Sequence, residues 1–381
     1  MSTRRPSTLE VSVVSSLRDL EALRPEWDDL LERALVKTPF LTWEWHFHWW
    51  QAFGARQQMA VHVVRDRGDL VGVAPFMRHR KGMRGCWLRE VRFADVGGIV
   101  TPYTDIVLDA DRAEPCVRAL LRAIIREGGW DRLTLRGLAE DSPTVRLLQD
   151  AARQNGLSAS VVPLAWGRWI SLPETFDYYL AELGPNTRAD IRRKRNGLAR
   201  RHQVEIRQCH TVEEVTQCWP LFVDLVRDRW RDKGEPTLFD DPAHVSFIAN
   251  VTAALARKGQ ARLWCLSLDG EVVAMLLALV SGDECYSWYH GFRAAFSCHS
   301  PGILVTAYCI EDCIKNQRFR RIDFLRGEQE YKQRLAKSRR LTVTLCVHST
   351  TLRSRVYQCL SGLLRDRRPE QPDDSLVTSG P

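Results

Sequence analysis

IDFLRGEQEYK, residues 322–332, reads as a core strand turning into a helix. Ile322 and Phe324 are apolar, yet Asp323 lies between them. An unpaired carboxylate is expensive to bury, so Asp323 must be solvated in a cleft or paired, with Arg320, Arg321 and Arg326 as the nearest cations. The helix that follows puts Glu328, Tyr331 and Lys332 within about one turn, with Glu328 and Lys332 spaced as an i,i+4 pair. Tyr331 is expected to face the cleft where Asp323 ends. Two readings are open: a solvated turn with a helix cap, or an active site at the C-terminal end of a strand. In the second, a phenol is a general acid for a leaving thiolate, and a carboxylate or a desolvated amine holds or deprotonates a nucleophile.

Around this stretch strand and helix patterns alternate, which predicts a layered α/β architecture. Before it come the strand QVEIRQC, a helix opened by the Thr211–Glu214 capping box and a helix over Pro242–Lys258. A hairpin follows, ARLWCLSL and EVVAMLLALV joined by Asp269-Gly270, then the strand ECYSWYHGF and a helix from Ser300. LTVTLCVHS is the last strand. The first half has a similar order: the strand LEVSVVSSL, a helix over Asp19–Leu35, and a hairpin in VHVVRDRGDLVGVA that matches RLWCLSLDGEVVAM. RLTLRG (132–137) likewise matches RIDFLRG (321–327). The expectation is a tandem repeat of one α/β unit.

The two repeats differ in chemistry. In the second, Ser300-Pro301-Gly302 opens the long helix; the first has LDADRAEPC at that junction. Backbone amides at a Gly-containing helix start attract phosphate, whereas carboxylates repel it. Ordinary helix punctuation explains Ser-Pro-Gly equally well. As a phosphate cradle it would use the amides of Gly302 and Ile303, with Arg293 as counter-ion. NTRADIRRKRNGLARR (186–201) predicts a helix with an apolar stripe through Leu180, Leu183, Ile191 and Leu198 and its arginines outward. Arg188, Arg192 and Arg193 are then assigned to an anionic acceptor or to adenosine phosphates, unless they form only a solvated face. No aromatic side chain interleaves with them, as nucleic-acid binding would favour. Trp43, Trp45, Trp49 and Trp50 have helical spacing, which favours a packed face over sugar stacking or metal ligation.

The chain of 381 residues is 44% apolar and 27% charged, with a net charge of +8 and a pI near 9.0. This is a globular composition biased toward anionic partners. Eleven cysteines are scattered, and Cys309 and Cys313 have no second pair, so neither a metal site nor a disulfide framework is expected. MSTRRPSTLE lacks a secretory apolar core, and the apolar run Val272–Val280 is too short to span a membrane. A cytoplasmic protein without a transmembrane segment is the expectation.

Taken in order, PFLTWEWHFHWWQAFG, LRGLAEDSP, RADIRRKRNGLAR, LDGEVVA, HSPGILV and above all IDFLRGEQEYKQRLA resemble the GNAT-superfamily acyltransferases. The likeness covers roughly Pro39–Ser338 and is nearest to the CelD-type acetyltransferases associated with cellulose and exopolysaccharide biosynthesis. These are relatives of the Fem aminoacyl-tRNA-dependent peptidyltransferases. The resemblance implies tandem GNAT-like units, each a mixed, largely antiparallel sheet flanked by helices. Residues 1–171 would form a degenerate unit, 172–349 the acyltransferase, 350–364 a helix and 365–381 a disordered tail. It further implies acetyl-CoA or another acyl-CoA lying between the strands Glu284–Gly291 and Arg321–Leu325, with its pyrophosphate over Ser300–Ile303. Asp323 would orient or deprotonate the acceptor, Tyr331 protonate the departing thiolate, and Lys332 fix Asp323 or acceptor charge, with Glu328 on the substrate side. FSCHSPG replaces the usual Gln/Arg-x-x-Gly-x-Gly/Ala loop, which leaves aminoacyl-tRNA open as a donor. A non-catalytic partner of a polysaccharide synthase is the rival of another class.

Overall fold

The tight hairpin of the first half closes through Arg67 (φ 55°) and Gly68 (φ 96°), the left-handed pair that a two-residue turn between twisted strands requires. In this computed structural model, which describes residues 9–83, 86–95, 101–231, 234–315 and 319–365, the chain divides into two units. One takes the described residues up to Ala165 and those from Leu341 onward; the other runs from Trp166 to Arg340.

In the first unit Leu9–Val14, Val61–Asp66, Asp69–Ala74 and Val107–Leu108 form an antiparallel sheet in that order. The expected helix over Asp19–Leu35 is broken into Leu17–Ala22 and Arg24–Glu32. Pro25 supplies the reason, since it has no N–H to continue the first helix. The helix Trp43–Phe53 buries all four of its tryptophans: Trp43 Nε1 donates to Leu20 O at 2.7 Å and its ring stacks on Phe47 at 4.3 Å. Their faces are committed to packing. The strands Phe76–Met83 and Cys86–Phe93 are not evident from the sequence because they are rich in charge. The pairing of buried charges makes them tenable: Arg132 Nε donates to Glu90 at 2.9 Å, and Arg89 Nη2 to Asp131 at 2.9 Å.

The second unit starts with β1, the last residues (166–171) of the strand Ser158–Ser171. Then come α1 (Phe176–Glu182), α2 (Pro185–Arg201), β2 (Val204–Cys209), α3 (Val212–Arg231) and α4 (Pro242–Arg257). The remaining elements are β3 (Ala261–Leu268), β4 (Glu271–Ser281), β5 (Glu284–Phe292), α5 (Pro301–Lys315), β6 (Arg321–Arg326) and α6 (Glu330–Leu335). The sheet order is β2-β3-β4-β5-β6-β1, antiparallel except for the β5–β6 pair. Leu276, Ala278 and Val280 of β4 share a core with Leu304 and Ile310 of α5 and with Ile191 and Leu198 of α2. Each unit is built on a largely antiparallel sheet flanked by helices, as expected above.

The expected boundaries at 171 and 349 differ from those of the units. Residues 342–348 pair with Arg132–Ala139, so the last strand belongs to the first unit's sheet, and the partner of β6 is β1. The C-terminal helix is Leu352–Arg365, and the expected disordered tail lies, from residue 366, outside the described residues.

Gly291 of β5 sets how closely α3 approaches the sheet. A Cβ there would lie 2.4 Å from Val226 N and 2.6 Å from Leu225 C, both backbone atoms that cannot rotate aside. Gly291→Ala is expected to cost about 3 kcal/mol of stability in urea denaturation. Unchanged stability would show that α3 does not rest on β5 at this point.

Candidate active site

β5 and β6 pair only at Glu284↔Arg321, Cys285↔Ile322 and Tyr286↔Asp323, and beyond Asp323 they part. Both flanking ladders carry an irregularity at that level. Opposite β4, Leu277 faces Tyr289 and Ala278 faces Ser287, which leaves Trp288 as an extra residue. Opposite β1, Asp323 faces Trp169 while Arg326 faces Gly167, so Phe324 and Leu325 stand against the single residue Arg168. Leu325 takes φ 59°, costly for a leucine, and Asp323 Oδ1 accepts its N–H at 2.6 Å. The buried carboxylate of Asp323 thus holds the bend by which β6 leaves β5.

The groups expected from the sequence converge here. Lys332 is buried, and its Nζ donates to Arg326 O at 2.6 Å. Burial pulls its pKa down to about 7, against the attraction of Asp323. Tyr331 is half-buried with its ring edge-on to His290, centroids 5.2 Å apart. Burial raises its phenol to about 12, with Arg229 pulling the other way, so it is a neutral proton donor at ordinary pH. Glu328 lies before the start of α6 and does not form the expected i,i+4 pair. Arg168 instead takes it in a two-pronged ion pair, at 2.9 and 3.0 Å, and also donates to Ala336 O. Two of the three cations expected around Asp323 have other acids: Arg321 pairs with Glu284 at 2.7 Å and Arg320 with Asp283 at 3.5 Å.

At the far end of β5, Arg293 precedes a 3-10 turn, 3.9 Å from Glu271. Ser300 adopts φ 52°, and α5 begins at Pro301. The first amide of α5 bonded back is that of Leu304, to Ser300 O at 3.2 Å, so the amides of Gly302 and Ile303 lie at the open helix end. Gly302 itself is a packing residue. A Cβ there would meet Phe292 at 3.1 Å and His290 at 3.3 Å, so an added side chain probes that contact rather than a phosphate.

The basic helix α2 sorts its cations by face. Arg192 and Arg193 are exposed and paired with Asp177 and Asp190, and Arg188 Nη1 reaches Ala181 O at 3.5 Å. Arg192 and Arg195 line a groove of about 500 Å³ whose wall also carries Glu174, Asp177 and Glu311. Lys194, absent from the sequence assignments, turns inward: Nζ donates to Ser300 Oγ at 2.7 Å while Asp190 holds it at 2.9 Å. Its signal was available, since Lys194 is three residues after buried Ile191 and four before buried Leu198. The same spacing marks Arg229, a buried cation seven residues after Phe222 and three after Val226. The thiols also group in a way linear spacing conceals. Cys285 of β5 joins Cys309 and Cys313, and Cys209, Cys218 and Cys265 form a second trio, the sulfurs of each within 4.8 Å of one another. The first trio sits in the apolar core, where cysteine packs as a small hydrophobe.

Residues 185–333 match the acetyltransferase (GNAT) domain family. The match takes in less than half of the chain, and no curated protein matches the sequence. Among solved structures, FemX is similar with a TM-score of 0.59 at 11% identity, covering 92% of this chain and 99% of that one. The C-terminal domain of a putative lysylphosphatidylglycerol synthetase from Agrobacterium fabrum gives 0.53 at 11% identity, over 91% and 98% of the two chains. L-PGS from Bacillus licheniformis gives 0.50 at 12%, over 93% and 98%. Identities this low speak to the fold alone. Among the described residues no helix is long and apolar enough to cross a membrane.

The lowered pKa of Lys332 has a consequence for stability. The unfolded chain keeps that proton up to the ordinary lysine value of 10.5, whereas the folded chain releases it near 7. The unfolded state therefore binds more protons between those values, and the lysine's contribution to stability rises with pH across that window. Lys332→Met is expected to be more stable than the parent at pH 6 to 7, with the gap narrowing toward pH 9.5. Parallel melting curves that stay equally spaced across this range would rule the shift out.

Proposed function

We propose that the second unit transfers an acyl group from acyl-CoA to an amine or hydroxyl of a small acceptor, amino sugars of exopolysaccharide among them. One observation carries this reading: β5 and β6 part just where Asp323, Tyr331 and Lys332 converge. The edge of β5 beyond Tyr286 offers strand-like hydrogen bonds to a pantetheine arm. The open amides of Gly302 and Ile303, with Lys194 beside them, suit a pyrophosphate. Arg188, Arg192 and Arg193 then belong to the outer surface, and Lys194 takes over the phosphate role.

CoA supplies the activated thioester; the protein moves two protons. The acceptor loses one as its nitrogen or oxygen bonds to the acyl carbon, and the sulfur gains one as the thioester bond breaks. Tyr331, neutral and half-buried, is the donor to sulfur. Lys332, partly unprotonated near pH 7, is suited to receive the acceptor's proton, and Asp323 offsets the charge it then carries. Asp323 has the further task of fixing the bend in β6, so the role of base expected of it from the sequence passes to the lysine.

Thermal shift with acetyl-CoA, longer acyl-CoAs and charged tRNA identifies the donor. The likeness to FemX motivates the last arm, and a response to charged tRNA alone would replace the CoA reading. For the chemistry, Tyr331→Phe is expected to lower thiol release from acetyl-CoA by about 10²–10⁴-fold with little change in melting temperature. A lowered melting temperature with full activity per folded molecule would make Tyr331 structural. Lys194→Gln should weaken CoA binding and leave turnover at saturating CoA intact. Unaltered CoA affinity would remove Lys194 from the phosphate site.

A further inference from the structure

Arg229 lies in the last turn of α3 and is only 9% exposed. A buried guanidinium ordinarily has a carboxylate, because a desolvated charge is costly without one. Among the described residues this one has none. Its Nη1 donates to His290 O at 3.1 Å, and the rest of the group lies near the rings of Trp230 and Phe292, at 5.0 and 5.7 Å. The adjacent acid, Asp228, is turned to Ala294 N–H at 3.1 Å and to Arg231 at 3.8 Å. The charge felt most by Arg229 is that of Tyr331, whose phenol stays neutral. Lys332, the other buried cation of this region, has Asp323 to offset it. The Arg229 guanidinium is thus buried without a carboxylate among the described residues, and it shares His290 as a neighbour with Tyr331.

Resting on the acyl-transfer reading above, we propose that Arg229 docks a carboxylate carried by the acyl acceptor, which is then an amino-acid-like or hydroxy-acid-like molecule. The guanidinium fork still has Nε and Nη2 without a partner among the described residues, the pair that grips a carboxylate with two parallel bonds. Aromatic walls exclude water from that contact and strengthen it. Arg229 donates to His290 O and Tyr331 lies edge-on to the His290 ring, so the carboxylate and the acylated atom are to be separated by only a few bonds.

Calorimetric titration with N-acetylglycine and N-acetyl-L-alanine, which carry both the acyl amide and the carboxylate, tests the assignment. N-acetylglycinamide serves as the neutral control, and CoA is titrated in parallel. The expected result is saturable binding of the two acids, with the amide at least tenfold weaker. Arg229→Gln should bind the acids at least tenfold more weakly and CoA as before. Equal binding of acid and amide, or an unchanged affinity in Arg229→Gln, overturns the proposal. So does a variant that loses CoA affinity and keeps the acids, since the guanidinium then serves the donor. Should Arg229→Gln not fold, the arginine Nε–H resonances of the parent protein are followed by NMR during the titration. The resonance absent in Arg229→Lys must move with N-acetylglycine and not with the amide, and a still resonance refutes the site. The acid titration needs no CoA. Acid binding without CoA binding therefore counts against acyl transfer alone, and CoA binding without acid binding against the carboxylate site alone.

Discussion

The hydrogen bond from Leu325 N–H to the Asp323 carboxylate is the constraint on which the site depends. It secures a leucine in the left-handed region, and that residue is half of the two-against-one irregularity opposite Arg168. Without the bend, β6 would continue its parallel ladder with β5 and close the space between them. The same carboxylate offsets the charge of Lys332. One buried acid thus serves backbone geometry and side-chain electrostatics together, and its two duties cannot be separated by deleting the group.

Much of this was legible in the sequence because it is local. Asp323 within an apolar strand announces an exception, and the close spacing of Tyr331 and Lys332 keeps them together whatever the helix boundary. The hairpins read correctly because Arg67-Gly68 and Asp269-Gly270 leave the backbone few alternatives. Glu328 misled because a helical pairing rule was applied two residues before the helix begins; its partner, Arg168, is 160 residues away in the chain. The charged strands of the first unit were hidden for a similar reason. Glu90 is tolerable in a buried strand only because Arg132 arrives from a distant one. Long-range charge pairing leaves no mark on local periodicity.

The cations divide in the same manner. Arg192 and Arg193, conspicuous in a basic run, pair with acids at the surface. Lys194 and Arg229 are single basic residues on apolar faces, where placing a charge carries an energetic cost, and they point toward the groups of the site. Position on a helical face told more than the density of charge along the chain.

The strand that completes the first unit's sheet has a consequence for how the protein is made. Arg132–Ala139 pairs with residues 342–348, which leave the ribosome roughly 200 residues later, about 10–40 s at ordinary elongation rates. Throughout that interval the backbone groups of Arg132–Ala139 lack this partner, and an uncovered strand edge is a template for wrong pairing. The first unit, although most of it is synthesised first, cannot complete its sheet until residues 342–348 have been made.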